Sequence, residues 1–453
     1  MSHQLVFITL FLGLISGRRE VDLQAGPAIK SIRLLLDGKQ VAELQKEPWS
    51  AIVDFGPLIT PGELVAAGYD EHGKEVARES QLVNLPHATA EFAIVLRHDE
   101  KGAPASVELR WKHLFGSVPQ KSSLVVDGQN VPLDSAMRAT LPRLDMGRLH
   151  VIAATISFQD GVVARRELVV GGATGETAET QLTPIAVRAS TDATQHPDAH
   201  CFTKAESPVR VAAIEKSAGV VIFVLDPDRE ATRKALNPAR GLGTQANEML
   251  VKTIALDRGT SMHAQWMVAE KPRTTSHSSS SVLFPATEDF EAGDTGLVGF
   301  LTHISGSPEE DATPRQAADA VVVAGLNAMK GARRRAVVLV LSRHNDASSY
   351  GGAVSRRYLS SIGVPLFVWS LDGARPELRD VWGEIDDVSS LSGLRVAADR
   401  LRAELASQRV AWVAADPLSA LRIQSTGKCG LTPLAHSVAP AAAPAVPPPA
   451  RRQ

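Results

Sequence analysis

Aromatic residues are scarce, at 5% of the chain, and charge of one sign is not in excess, with a formal net charge of −2. The first scarcity argues against a stacking surface for single-stranded nucleic acid. The second removes the electrostatic footprint expected of a protein that binds DNA, RNA or an anionic membrane. Beyond residue 20 no run is long and apolar enough to cross a bilayer, so no integral span is expected. Signatures of common catalysts are missing too: there is no G-x-S-x-G, H-E-x-x-H, P-loop or paired C-x-x-C. Cysteine is limited to Cys201 and Cys429, which suits either redox compartment. What remains is 453 residues, 44% hydrophobic and 22% charged, enough for several cores and a soft prior of about three domains.

The first 17 residues admit two readings. "LVFITLFLGLISG" (5–17) has the length of a signal-peptide core, yet no Lys or Arg precedes it and no good A-x-A site follows. The alternative is a first β-strand.

Residues 18–86 and 88–172 echo each other. "LLLDGKQV" begins at Leu34 and "LVVDGQNV" at Leu124, each an apolar run broken by Asp-Gly. That dipeptide is the strongest short-range hairpin signal, because a type I′ turn needs φ > 0 at both central residues. Val151, Ala153, Thr155 and Ser157 alternate with Ile152, Ala154, Ile156 and Phe158, a period of two. The expectation is two tandem immunoglobulin-like β-sandwiches without the Cys…Trp…Cys core of antibody domains. Residues 173–208, polar and rich in Gly, Thr and Asp, read as a linker.

From Val209 the period changes. "VVIFVLD" (220–226), "RRRAVVLVLS" (333–342) and "VPLFVWSL" (364–371) are apolar throughout, as strands buried on both faces must be. Helical spacing runs through 245–256, 289–304, 315–330, 350–363 and 392–407, with Thr313-Pro314 as N-cap and N1 of the third. "RVAWVAA" (409–415) is a further strand. Strands alternating with helices predict a doubly wound, mostly parallel, Rossmann-like sheet over 209–430. The Ala/Pro-rich "LTPLAHSVAPAAAPAVPPPARRQ" (431–453) predicts a disordered tail.

This second half resembles a von Willebrand factor A-type domain. The resemblance rests on the strand ending at Asp226, the segment "FPATEDFEAGDTGLVGFLTHI", the Thr-led helix, and the succession Arg-Arg, buried strand, helix, Gly-Val-Pro and buried strand. With Ig-like modules in front, the whole chain is similar to the A-domain-related family of bacterial exported proteins. The resemblance implies a periplasmic or secreted location and a protein partner contacted through the carboxyl ends of the strands.

In that family a divalent cation is held by D-x-S-x-S, a Thr from a later loop and an Asp after the fourth strand. Here Asp226 and Thr313 match, Asp228 and Glu230 replace the two serines, and Arg343 stands where the Asp is expected, with Asp346 nearby. A guanidinium that does not deprotonate would sit in the seat of the ion. The expectation is therefore a binding face of Asp226, Asp228, Glu230, Thr313, Arg343 and Asp346 that acts in adhesion or protein contact, with no cofactor and no enzymatic activity. One alternative is a rewired Mg²⁺ or Ca²⁺ site built on Asp226, Asp228 and Thr313. Another is a hydrolase using the acids at 226–230. The resemblance also implies a Cys201–Cys429 bridge stapling the ends of the domain, worth around 4–5 kcal/mol on a chain-entropy model. Two free buried thiols are the alternative.

Overall fold

The computed structural model describes residues 4–11, 13–86, 89–99, 103–114, 116–171, 178–193, 201–225, 262–269, 284, 286, 290–291, 316–341, 346–370, 373 and 375–436. Seven strands form the first sandwich: β1 (Leu5–Phe7), β2 (Arg18–Ala25), β3 (Ser31–Leu36), β4 (Lys39–Leu44), β5 (Ser50–Asp54), β6 (Gly62–Tyr69) and β7 (Glu75–Val83). They pair as β1-β2-β5 and β4-β3-β6-β7. The second seven are β8 (Ala90–His98), β9 (Pro104–His113), β10 (Pro119–Val126), β11 (Gln129–Val131), β12 (Arg138–Thr140), β13 (Leu149–Phe158) and β14 (Val163–Gly171). Their orders, β12-β9-β8 and β11-β10-β13-β14, are those of the first set shifted by seven strands. The echo in the sequence is thus a repeat of topology. Inward-facing Ile152, Ala154, Ile156 and Phe158 join the second core, as alternation requires.

The Asp-Gly turns do the same work twice. Asp37 and Gly38 have φ of 50° and 79°, and Asp127 and Gly128 have 50° and 82°. Each Asp carboxylate then accepts from the backbone of the next long strand, Glu63 N at 3.1 Å and Val151 N at 2.9 Å. One residue earlier the repeats diverge. A Cβ on Gly62 would stand 3.2 Å from Asp37 Oδ1, whereas buried His150 places Nδ1 2.6 Å from Asp127 Oδ2 and Nε2 2.8 Å from the Asp145 carbonyl. Both partners only accept, so both ring nitrogens carry hydrogen and the imidazolium is the form that fits. The hydrogen bond to Asp127 accordingly raises the His150 pKa, with the Asp145 carbonyl adding to it. A raised folded pKa contributes stability that is complete below the unfolded value of about 6.5 and is lost as pH climbs through the folded one. The melting temperature of the second sandwich is therefore expected to fall across that window. His150→Gln is expected to flatten this dependence, read by thermal melts between pH 5 and 9.

Two further parts follow. An α/β unit is built on β19 (Gly219–Leu225), β20 (Met262–Val268), β21 (Phe290–Glu291), β22 (Arg334–Leu341), β23 (Leu366–Ser370) and β24 (Asp386–Asp387). Its sheet runs β21-β20-β19-β22-β23-β24, parallel except at β21. Helices α1 (Ala317–Ala328) and α2 (Gly352–Ser361) cover one face, packing Val321, Leu359 and Ile362 on Val337 and Leu339. Helix α3 (Leu391–Ser407) covers the other through Leu394, Ala397, Leu401 and Leu405. The doubly wound expectation holds for this part.

The expected linker and the expected last strand of the α/β sheet differ from the reading above. β15 (Ala178–Ala189) lies inside the 173–208 segment and pairs antiparallel with β14 on one side. On the other it pairs with β25 (Gln408–Ala414), register Ile185↔Ala411. β25 pairs in turn with β18 (Val211–Glu215), so an eight-stranded sheet runs unbroken out of the second sandwich. A small sheet of β16 (Phe202–Lys204), β17 (Ser207–Val209) and β26 (Gln424–Ser425), with β27 (Leu431–Pro433) beside β15, completes a third β module. The α/β unit is an insertion in this module, entering after β18 and leaving at β25. Residues 209–430 are therefore not one α/β domain, and Leu431–Pro433, expected in the tail, are strand.

Two helix expectations are also corrected. α1 begins at Ala317 with Gln316 as N-cap rather than Thr313, and Phe290–Glu291, within the expected helix 289–304, is strand. The expected helix 245–256 lies outside the described residues.

Candidate functional site

β19 and β22 end at Leu225 and Leu341, side by side in the parallel register that pairs Leu225 with Val340. Loops at this end of an open sheet are where such folds place ligands. Five of the six residues expected on the binding face, Asp226, Asp228, Glu230, Thr313 and Arg343, lie outside the described residues. The sixth, Asp346, is described, and it is occupied. Its Oδ1 accepts from Ala317 N at 3.0 Å and its Oδ2 from Ala318 N at 3.1 Å, so it caps the first turn of α1. Ser348 adds its backbone N–H at 3.1 Å and its hydroxyl.

The interlock runs both ways. Asp319, in the first turn of α1, accepts from Ser349 N at 2.9 Å and Tyr350 N at 3.0 Å. Ser348 Oγ receives Asp319 N at 3.1 Å. Two carboxylates at a helix N-terminus satisfy orphan donors and complement its dipole. The result is a braced loop, 346–350, locked to α1 at the rim of the sheet. Asp319 and Ser348 were not picked out by sequence reasoning, although an Asp in a helix's first turn and a D-x-S loop are both capping patterns. At the neighbouring strand end, Ser370 Oγ is buried without a hydrogen-bond partner among the described residues.

The attachment lies at the opposite end. β18 leads into β19 across residues 216–218, and α3 runs directly into β25, so both connections meet the parallel sheet at the amino ends of its strands. Arg335 N donates to Gln408 Oε1 at 2.8 Å there, tying β22 to the first residue of β25. Tyr358 Oη donates to Asn84 O at 3.0 Å, fixing α2 to the first sandwich, and Arg188 pairs with Glu404 at 2.9 Å, fixing α3 to β15.

Cys201 and Cys429 are bonded to each other. Their bridge lies in the core of the third β module, among Phe202, Val187, Ala411 and Val413. It closes the module around the inserted unit instead of stapling the ends of an α/β domain.

No protein-family model matches the chain, and no curated relative does either. Solved structures with some likeness include proximal thread matrix protein 1 from the mussel byssus, 12% identical with a TM-score of 0.29, covering 47% of this chain and 50% of that one. The same protein with a zinc-occupied MIDAS motif gives 12% and 0.27, over 43% and 50%. The fibronectin(III)-like modules of Clostridium thermocellum CbhA give 7% and 0.16, over 37% and 94%. TM-scores this low carry no argument, and the fold stands on the strand pairing described above.

Proposed function

We propose that this chain is a non-enzymatic interaction protein: a degenerate von Willebrand factor A-type unit, displayed to a protein partner outside the cytoplasm by a β framework. The observation that carries this reading is the polarity of the mount. Both tethers join the parallel sheet at its amino ends, and seven residues of β19 separate them from the carboxyl-end rim. That is about 23 Å at 3.3 Å per residue. A rim held at such a distance on a continuous sheet is placed for contact. The disulfide supports an oxidising compartment, where such bonds persist.

Capping by Asp346 favours contact without metal over a rewired Mg²⁺ or Ca²⁺ site. A carboxylate that already accepts from Ala317, Ala318 and Ser348 has little left to offer a cation. The test places a photo-cross-linker at Ser349 on the rim and, separately, at exposed Lys121 on the second sandwich. The rim position is expected to capture a discrete protein, equally with and without EDTA. Millimolar Mg²⁺, Ca²⁺ or Mn²⁺ is expected to move the melting temperature by less than ~1 °C, since a ligand of the folded state would raise it. Capture from Lys121 alone would contradict the reading, and a metal-driven rise of several degrees would restore the ion site.

A further inference from the structure

A cleft of about 980 Å³ lies where the two sandwiches, the third β module and the amino end of the α/β unit meet. That is the size of sites that bury small ligands. Its lining is mixed: Leu182, Pro184 and Trp412 supply apolar wall, and polar groups that include the carboxylates of Glu91 and Asp416 supply much of the rest. Arg335 also lines it.

Arg335 is 5% exposed. Its backbone is satisfied by the Gln408 amide, at 2.8 Å and 3.0 Å. Its Nε donates to the Gly363 carbonyl at 3.1 Å, just past the end of α2. Among the described residues no carboxylate pairs with this guanidinium, and neither Nη makes a hydrogen bond. Its neighbour shows what a purely structural arginine looks like here. Arg334, on the opposite face of β22, donates to Ser217 O at 2.8 Å and Leu405 O at 2.9 Å. Other cations lining the cleft are engaged: Arg422 with Asp37 at 3.5 Å and Arg165 with Glu215 at 3.0 Å.

A buried cation without a counter-charge is costly to keep. Burial pushes the Arg335 pKa down to about 10, so the charge persists at neutral pH. Its one contact near the end of α2 accounts for Nε and leaves the forked end of the side chain unexplained.

We propose that Arg335 is the anion-recognition group of a ligand site in this cleft, and that the ligand carries a carboxylate on an apolar body, as a medium-chain fatty acid does. The two Nη groups match a carboxylate bidentately, and Leu182, Pro184 and Trp412 cover the apolar part.

The test titrates the full chain with octanoate, with 1-octanol as an uncharged control and with inorganic phosphate as an anion lacking the apolar body. Octanoate is expected to bind saturably and raise the melting temperature, while octanol and phosphate each bind at least ~10-fold more weakly. Arg335→Met is expected to weaken octanoate at least ~10-fold. The same variant should melt, unliganded, no lower than the parent, because an apolar isostere relieves an unpaired buried charge. Octanoate without effect up to ~10 mM would overturn the proposal, as would octanol or phosphate binding as tightly, or an Arg335→Met variant that keeps its affinity. Should that variant fail to fold, the contrast between octanoate and octanol on the parent protein decides.

Discussion

Removal of residues 1–17 is expected to unfold the first sandwich. β1 pairs with β2 through Leu5↔Ala25 and Phe7↔Leu23. Leu5, Phe7, Phe11 and Ile15 are all buried in the core that β2, β3, β6 and β7 share. At about 1.5–3 kcal/mol for each buried side chain, their loss approaches the whole stability of a domain, about 5–15 kcal/mol. The deletion also strands buried polar groups. Gln81 Oε1 accepts from Phe11 N at 3.2 Å, and Asn84 Oδ1 accepts from Ile15 N at 2.7 Å. Damage is expected to spread, because Leu85 and Ile59 pack into the core beneath α1 and α2. Thermal unfolding of the two chain lengths measures this. A truncated chain melting within ~2 °C of the parent, a small fraction of the shift such a loss implies, contradicts it.

Breaking the Cys201–Cys429 bond is expected to have the second-largest effect. The bond closes 228 residues, and the chain-entropy model puts the constraint at about 5 kcal/mol. It lies in a module whose two halves are separated by the entire α/β insertion. The bond adds to the β15–β25 ladder in offsetting the entropy of bringing those halves together, and near the cysteines themselves only the short strands β16, β17, β26 and β27 assist it. The Cys201→Ala, Cys429→Ala double variant should lose its third module first. Limited proteolysis would then cut within 201–215 and 416–434 while β10, β13 and β14 stay intact. Equal resistance of parent and variant would show that the bridge does not hold the module.

The repeat was legible because its signals are local. An Asp-Gly dipeptide fixes a turn and alternation fixes a face, each over a short stretch of chain. The N-terminal strand was ambiguous for a physical reason: a signal core and a buried strand both require a short apolar run such as "LVFITLFLG". β20 was missed because His263 and Gln265 interrupt it, giving alternate burial beside the continuous runs of β19 and β22.

The β15–β25 ladder was beyond reach because it joins Ile185 to Ala411 across the α/β insertion. Pro184 also argues against a central strand, since it has no N–H for a ladder. The structure places it where the rule does not bite: the β14 ladder stops at Gln181 and the β27 ladder starts at Val187, so at Pro184 only β25 is alongside.

At the candidate site the residue type was informative and its role was not. Asp346 stood out as an acid after a buried strand. A carboxylate serves equally to hold a cation or to cap a helix, and the choice rests on where α1 begins. The Arg-Arg pair that opens β22 likewise marked the strand without revealing that Arg334 donates to two backbone carbonyls through Nε and Nη1 while Arg335, among the described residues, engages only its Nε.

Hydrogen–deuterium exchange over Leu182–Arg188 is the most direct measurement of the rigid mount on which the functional reading rests. Amides bonded to β25 are expected to exchange as slowly as those of β13, and to lose protection together with Val410–Val413. Exchange of this segment within seconds, with β13 still protected, would mean a loose connection and an α/β unit that swings free of the sandwiches.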